Sequence, residues 1–426
     1  MKKYLLLLFM FFWLSGCRGA NTVLRPTETE QFLTVTATFD EKNNVEVTPT
    51  TSPTNTAEPT FSPPDRPKII LFIGDGMGAE HRLAGQYYSV GEIRQLAMDA
   101  LPVFGWLHTD SFGNVLTESA AAATALATGH KTNNGVISLD VNGKQLKTIL
   151  EYAQGLEMST GLISTKFITD ATTAAFGAHV ENNSMVQEIA SQFIEHRIDV
   201  MFGGGENDFL PRGVNGCHSE MGIRTDERNL IQEAIDAGYT VVCDEQAFDL
   251  IDPQTASRVL GLFADENMTR PYAPSLAGMT RTAIEILSLN PNGFFLVVEG
   301  ATIDVASHFH QSQNVLDDVV GLDQAVKVGM EYAKLDNDML IIVTADHETG
   351  GMVVDLLPIG FGDKEGLFHM PNGIEFYISW TTGDHTSSDV PVSAFGPGSE
   401  KLFGINENTR VFDVMLEYLG VSAISE

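Results

Sequence analysis

The 426-residue chain carries 56 acidic against 25 basic residues, a formal net charge of -31, and is 43% hydrophobic. That apolar content suffices for a large core and excludes a disordered protein. The negative field disfavours binding to nucleic acid or anionic headgroups, and a site for an anionic substrate needs local positive charge, which metal ions supply.

Lys2 and Lys3 precede an apolar run from Tyr4 to Leu14, which has the length of a signal-peptide core and is short for a bilayer span. It closes in Leu14, Ser15, Gly16 and Cys17, similar to a bacterial lipoprotein signal. That similarity implies cleavage before Cys17, lipidation of its thiol and anchoring to the membrane outside the cytoplasm. Residues 17–67 are rich in Thr, Pro, Ser and Asn and read as an extended tether, with the folded domain expected over 68–426. The two remaining cysteines, Cys217 and Cys243, are free to pair in an oxidising compartment or to stay as buried thiols.

KIILFI at 68–73 is apolar on both faces, as a central strand of a parallel sheet should be. Gly74 to Gly78 (GDGMG) follow as a tight turn, with Asp75 aimed off the strand end. Leu116 to Gly135 hold Glu118 and Ser119 before an alanine-rich helical run. Ser119 is expected at the helix N-terminus, where its hydroxyl either caps the helix or stands in the positive end of the dipole, which favours an alkoxide and a bound phosphate. A strand over 161–165 leads to a loop carrying Asp170 and Thr172. Further strands are expected at 200–205, 239–242 and 390–394, and helices at 229–237, 274–289, 316–334 and 409–419, with 356–380 as a small irregular insertion.

Two stretches carry most of the chemistry. Val298 to His308 (VEGATIDVASH) follows the apolar strand 294–298, so Glu299 emerges at a strand's C-terminal end, where open α/β sheets bind ligands. If the following residues turn helical, Asp304 and His308, four apart, share one face and can grip one metal, while Glu299 offers oxygen to a harder ion. MLIIVT at 339–344 ends in Asp346 and His347. Adjacent strand residues face opposite ways, so both reach one metal only if the strand breaks there. His385 lies in a third short segment, DHTSSDVPV.

GDGMG, TESAAAATA, DATTAAFGAHV, VEGATIDVASH, TADHETGG and DHTSSDVPV occur in this order from Lys68 onward, and together they closely resemble the alkaline phosphatase family. The resemblance implies an α/β fold with a central, mostly parallel sheet flanked by helices on both faces. It also implies hydrolysis of small phosphate monoesters with Ser119 as nucleophile, two zinc ions and one magnesium ion, and often a homodimer. Asp304, His308 and His385 would bind one zinc, and Asp346, His347 and Asp75 the second. Asp75, Thr172 and Glu299 would bind the third ion, with Asp170 orienting its water. His179 falls in a family motif as a packing residue, and the other histidines read as surface or core groups.

One departure stands out. Family members often carry an Arg that clamps phosphate and an Asp that steadies it, and the aligned positions here are Asn183 and Glu118. An amide brings neither charge nor a bidentate fork. The clamp is therefore expected to be absent, which keeps a phosphodiesterase of the same superfamily in view beside the monoesterase. A sulfatase is disfavoured, because the cysteine needed for its usual modified nucleophile is absent at Ser119, and a catalytically idle surface lipoprotein is the reading from another class.

Overall fold

Runs such as KIILFI and MLIIVT carry apolar side chains on both faces, so exposing either face would leave about half of them in water, and they form strands covered on both sides. The computed structural model describes residues 63–93, 95–336, 338–356 and 363–421. The signal segment, Cys17 and the tether up to residue 62 lie outside them. The strands in chain order are β1 (Lys68–Gly74), β2 (Val103–His108), β3 (Ser159–Phe167), β4 (Val200–Gly204), β5 (Thr240–Val242), β6 (Val259–Leu262), β7 (Phe294–Gly300), β8 (Met339–Thr344), β9 (Glu348–Thr349), β10 (Val353–Asp355), β11 (Asp363–His369), β12 (Glu375–Trp380), β13 (His385–Thr386), β14 (Val390–Phe395) and β15 (Gly404–Glu407).

Ten of them form one sheet in the order β15-β2-β14-β8-β1-β7-β3-β4-β6-β5. Only β14 runs antiparallel to its neighbours in this sheet, so the mostly parallel architecture expected from sequence is the one observed. Helices Ser119–Thr128, Ala171–Gly177 and Thr409–Tyr418 pack in one group, and Ala79–Ser89, Leu276–Leu287 and Ser312–Ala333 in another. Both groups touch β7, whose residues are buried on both faces, so the groups cover opposite sides of the sheet.

Register fixes where the site falls. Ile73 of β1 pairs with Glu299 of β7 on one side and with Thr344 of β8 on the other, and Ser164 of β3 pairs with Glu299. Four parallel strands are therefore in step at this level, and the residues just past it share one edge of the sheet. Across that edge β9 and β13 form a two-stranded antiparallel ladder in which His385 pairs with Thr349. This short ladder carries the third segment to the first two.

Several elements escaped the sequence patterns for physical reasons. β2 is broken in pattern by Gly105, where a Cβ would stand 2.1 Å from the Leu402 carbonyl oxygen, so the glycine is what lets the β15 edge close on it. β15 itself is half exposed and has no apolar run. The irregular insertion expected over 356–380 contains β11 and β12, which join β10 in a small antiparallel sheet. Asp170 and Thr172 are not in a loop: Asp170 is the extended residue that starts helix Ala171–Gly177, and Thr172 lies in its first turn, because a short run of small residues after an Asp supports a helix. Cys217 and Cys243 form a disulfide, with Cα atoms 6.3 Å apart. Among the described residues no helix is long and apolar enough to cross a membrane.

Candidate functional site

Each site residue hangs from an element whose end the register has already placed. Asp75 follows β1, Glu299 closes β7, and Asp346 and His347 follow β8, which ends at Thr344 and so makes the break that lets both side chains turn to one side. Thr302–His308 is helical, as the four-residue spacing of Asp304 and His308 requires.

Three groups of donors converge. His308 Nε2 lies 3.3 Å from Asp304 Oδ1 and 3.1 Å from His385 Nε2, and His385 Nε2 lies 3.6 Å from Asp304 Oδ1. Ligand atoms around a four-coordinate zinc with bonds of about 2.0–2.1 Å sit about 3.4 Å apart. The ring orientations agree with such a role. His308 Nδ1 donates to the Gly383 carbonyl at 2.7 Å and His385 Nδ1 to the Thr117 carbonyl at 3.0 Å, which turns both Nε2 lone pairs inward. The same position attracts positive charge strongly, since the bond to Asp304 pushes His308 up to about 9.

The second group is Asp75, Asp346 and His347, with His347 Nε2 3.5 Å from Asp75 Oδ1 and 3.3 Å from Asp346 Oδ2. His347 also stands within 4.8 Å of Asp304 and His385 and so bridges the first two groups. Burial lowers the pKa of His347, which keeps its ring neutral and able to donate a lone pair.

The third group is Asp75, Asp170 and Glu299, again within 4.8 Å of one another. Thr172 Oγ1, Asp75 Oδ2, Asp346 Oδ2 and both Glu299 carboxylate oxygens are buried without a hydrogen-bond partner. Each such atom costs about 1–3 kcal/mol, and more when charged, unless something binds it. Burial and then the Asp170 charge push Glu299 up to about 8; Ser164 and Thr172 temper the shift, yet neither closes a bond onto the carboxylate. Asp75 is raised well above the usual carboxylate range by burial and by Asp346, Asp304 and Glu299. Carboxylates that repel one another while leaving oxygens unsatisfied fit cations.

Ser119 is the first residue of helix Ser119–Thr128, but it does not cap it. Glu118 does, accepting from Ala121 N at 2.8 Å and Ala120 N at 2.9 Å, and from Gly135 N at 2.9 Å. The capping alternative for Ser119 is thereby displaced, and its hydroxyl is left for the site. Ser119 Oγ lies 3.2 Å from His347 Nε2 and 3.4 Å from Asp75 Oδ1. Asn183 is half-buried beside this loop and held by its backbone, whose N–H donates to Gly135 O at 2.8 Å, and its side chain bonds no other described residue. His179 lies away from the site, where Nδ1 donates to Ser138 O and Nε2 pairs with Glu151 at 3.3 Å, a packing position as read from sequence.

Sequence reasoning missed Lys166. Its Nζ lies 2.8 Å from Asp170 Oδ2. Burial alone would lower its pKa, but Asp170, Asp75 and Glu299 outweigh that and raise it, so the ammonium stays charged. No motif contains it, and the only sequence signal was a lone charged residue near the end of the strand STGLISTKF.

A serine hydroxyl against clustered carboxylates and imidazoles, at the C-terminal edge of a parallel sheet, defines a metal-dependent hydrolase. The alkaline phosphatase family model matches residues 67–363. Alkaline phosphatase 4 of Bacillus subtilis (strain 168) is 32% identical over 424 residues, covering 82% of this chain and 88% of its own. Streptomycin-6-phosphate phosphatase of Streptomyces griseus is 32% identical over 430 residues, covering 86% and 93%. The alkaline phosphatase of the Antarctic bacterium TAB5 superposes with a TM-score of 0.72 at 29% identity, over 84% of this chain and 99% of that one. A variant of the TAB5 enzyme carries Mg in its M3 site, with a TM-score of 0.71 at 28% identity over 84% and 98%. The chain belongs to the alkaline phosphatase family and is a phosphoric monoester hydrolase.

Proposed function

We propose that the chain hydrolyses small phosphate monoesters through a phosphoserine on Ser119. The observation that carries this is the Ser119 hydroxyl 3.2 Å from His347 Nε2 and 3.4 Å from Asp75 Oδ1, freed from capping by Glu118. Asp304, His308 and His385 would hold one zinc and Asp75, Asp346 and His347 a second. Asp75, Thr172 and Glu299 would hold a magnesium ion, with Asp170 orienting its water. Bound there, the cations supply Lewis-acid stabilisation of the entering and leaving oxygens and lower the pKa of the attacking hydroxyl.

The chain's own residues do the rest. Ser119 Oγ attacks phosphorus as the bond to the leaving alcohol oxygen breaks, and its proton passes to the alcohol or solvent. Water then attacks the phosphoserine, the Oγ–P bond breaks, and phosphate leaves with Ser119 restored. Glu118 holds the helix start still, so Ser119 meets the phosphorus from one direction. The helix dipole favours the negative charge that builds there.

The domain assignment follows the same reading: 1–16 a lipoprotein signal, 17–67 a tether from lipidated Cys17, and 68–426 the catalytic domain, held outside the cytoplasm and paired as a homodimer. A second reading, diester hydrolysis, is favoured by one observation, the uncharged and unbonded Asn183 side chain where a clamping Arg is expected. Turnover of a nitrophenyl phosphate monoester and the matching diester, with Zn²⁺ and Mg²⁺ supplied and Ser119→Ala alongside, decides between them. Monoester preference, with at least a ~10³-fold loss in the variant, is the expected result. Diester preference moves the assignment, and a fully active Ser119→Ala overturns the phosphoserine route.

A further inference from the structure

Lys166 lies where the β3–β4 ladder slips register between Ile163 and Phe167. Such a break re-aims a side chain that regular alternation would send elsewhere. The ammonium ends 2.8 Å from Asp170 Oδ2 and 5.1 Å from the centre of the Phe167 ring, so it is held by both an ion pair and an aromatic face. Asp170 in turn makes no capping bond to the helix it starts; its carboxylate is committed to Lys166 instead.

The consequence falls on the third group of donors. Asp75, Asp170 and Glu299 crowd within 4.8 Å, and the oxygens left without partners there belong to Asp75, Glu299 and Thr172, not to Asp170. Fully ionised, as a bound cation would make them, the three carboxylates with the one ammonium leave two negative charges, the complement of a single divalent cation. A neighbouring ammonium also repels that cation, and the acceptor it claims is one the cation does not receive.

Resting on the third-ion reading above, we propose that Lys166 is a positioning residue that acts as a built-in counter-ion of the third site. It claims Asp170, keeps the crowded carboxylates together when Mg²⁺ is scarce, and makes Mg²⁺ there weakly held and readily exchanged. The first group of donors, Asp304, His308 and His385, does not involve Lys166, and the second is linked to it only through the charge of the shared Asp75.

The test is Mg²⁺ titration of the zinc-loaded protein by calorimetry, and by the rise of Tm with Mg²⁺, in the wild type, Lys166→Met, Lys166→Gln and Lys166→Arg. Removing the charge should tighten Mg²⁺ binding at least ~10-fold, with zinc content unchanged, while Lys166→Arg keeps the wild-type affinity. Glu299→Gln added to Lys166→Met should abolish the Mg²⁺ response and so locate it. Equal or weaker Mg²⁺ binding in Lys166→Met and Lys166→Gln overturns the proposal. Should no variant respond to Mg²⁺ while zinc stays bound, the third-ion reading itself fails, and the proposal with it.

Discussion

Glu299 and Arg224 are both buried ionisable side chains, and their surroundings differ in kind. Arg224, set against helices Val186–Glu195 and Glu206–Phe209, donates to the Gln187 carbonyl at 2.7 Å, the Asp208 carbonyl at 3.1 Å, Ser191 Oγ at 2.9 Å, and both oxygens of Asp226. Glu299, at the end of β7, has no hydrogen bond on either oxygen among the described residues. A buried charge with every donor satisfied is part of the scaffold, and one left unsatisfied marks where something else must bind. The contrast separates structural from functional electrostatics within one chain.

It can be broken most sharply by removing each charge. Arg224→Met takes the donor from three acceptors, the Gln187 and Asp208 carbonyls and Ser191 Oγ, and should cost about 1–3 kcal/mol for each left unsatisfied, while turnover per folded molecule is unchanged. Glu299→Gln, in chelator-treated protein, should leave stability equal or slightly higher, because the carboxylate it replaces has no partner. Denaturant melts of both variants check this, and a large loss for Glu299→Gln would erase the distinction.

The disulfide belongs to the scaffold side. Closing a loop with a sequence separation of 26, Cys217–Cys243 should contribute about 3 kcal/mol, so the paired Cys→Ser variant melts lower with unaltered kcat. On the site side, Asn183→Arg should raise kcat/KM for a monoester at least ~10-fold by supplying a charged fork to phosphate. No change would show that Asn183 is not at the substrate.

The smallest effect tests a satisfied pair far from the site. Burial opposes the charge of His179, but its bond to Glu151 wins and its pKa is raised, while that of Glu151 is lowered against its own burial. A raised folded-state value for His179 means its contribution is fully present below its ordinary value near 6.5 and is lost as pH rises through the raised one. Glu151→Gln keeps the backbone bond to Thr148 N that completes the capping box. It should cost about 1 kcal/mol at pH 6 and little at pH 9, as read from melts at the two values.

The comparison also explains what was readable in advance. Asp304 and His308 declare themselves because a helix repeats every 3.6 residues, and Glu299 and Asp346 because apolar runs announce strand ends. Glu118 was read as a replaced partner of a missing Arg, and its capping of Ser119's helix was not foreseen, because a capping bond depends on where Ala120, Ala121 and Gly135 point their N–H groups. Lys166 was invisible because its direction is set by a register slip between two strands. Arg224 was invisible because its partners lie as many as 37 residues away.

By itself the sequence determined the strand and helix periods, the order of the motifs and the types of donor, since these depend only on local chemistry and spacing. Tertiary structure alone decided which strand ends share a level and that β9 and β13 bring His385 to Asp304. It also decided that Glu118 rather than Ser119 caps the helix, that Cys217 meets Cys243, and that Lys166 faces Asp170. Those outcomes depend on parallel register and long-range packing, in which each contact is set by residues distant in the chain.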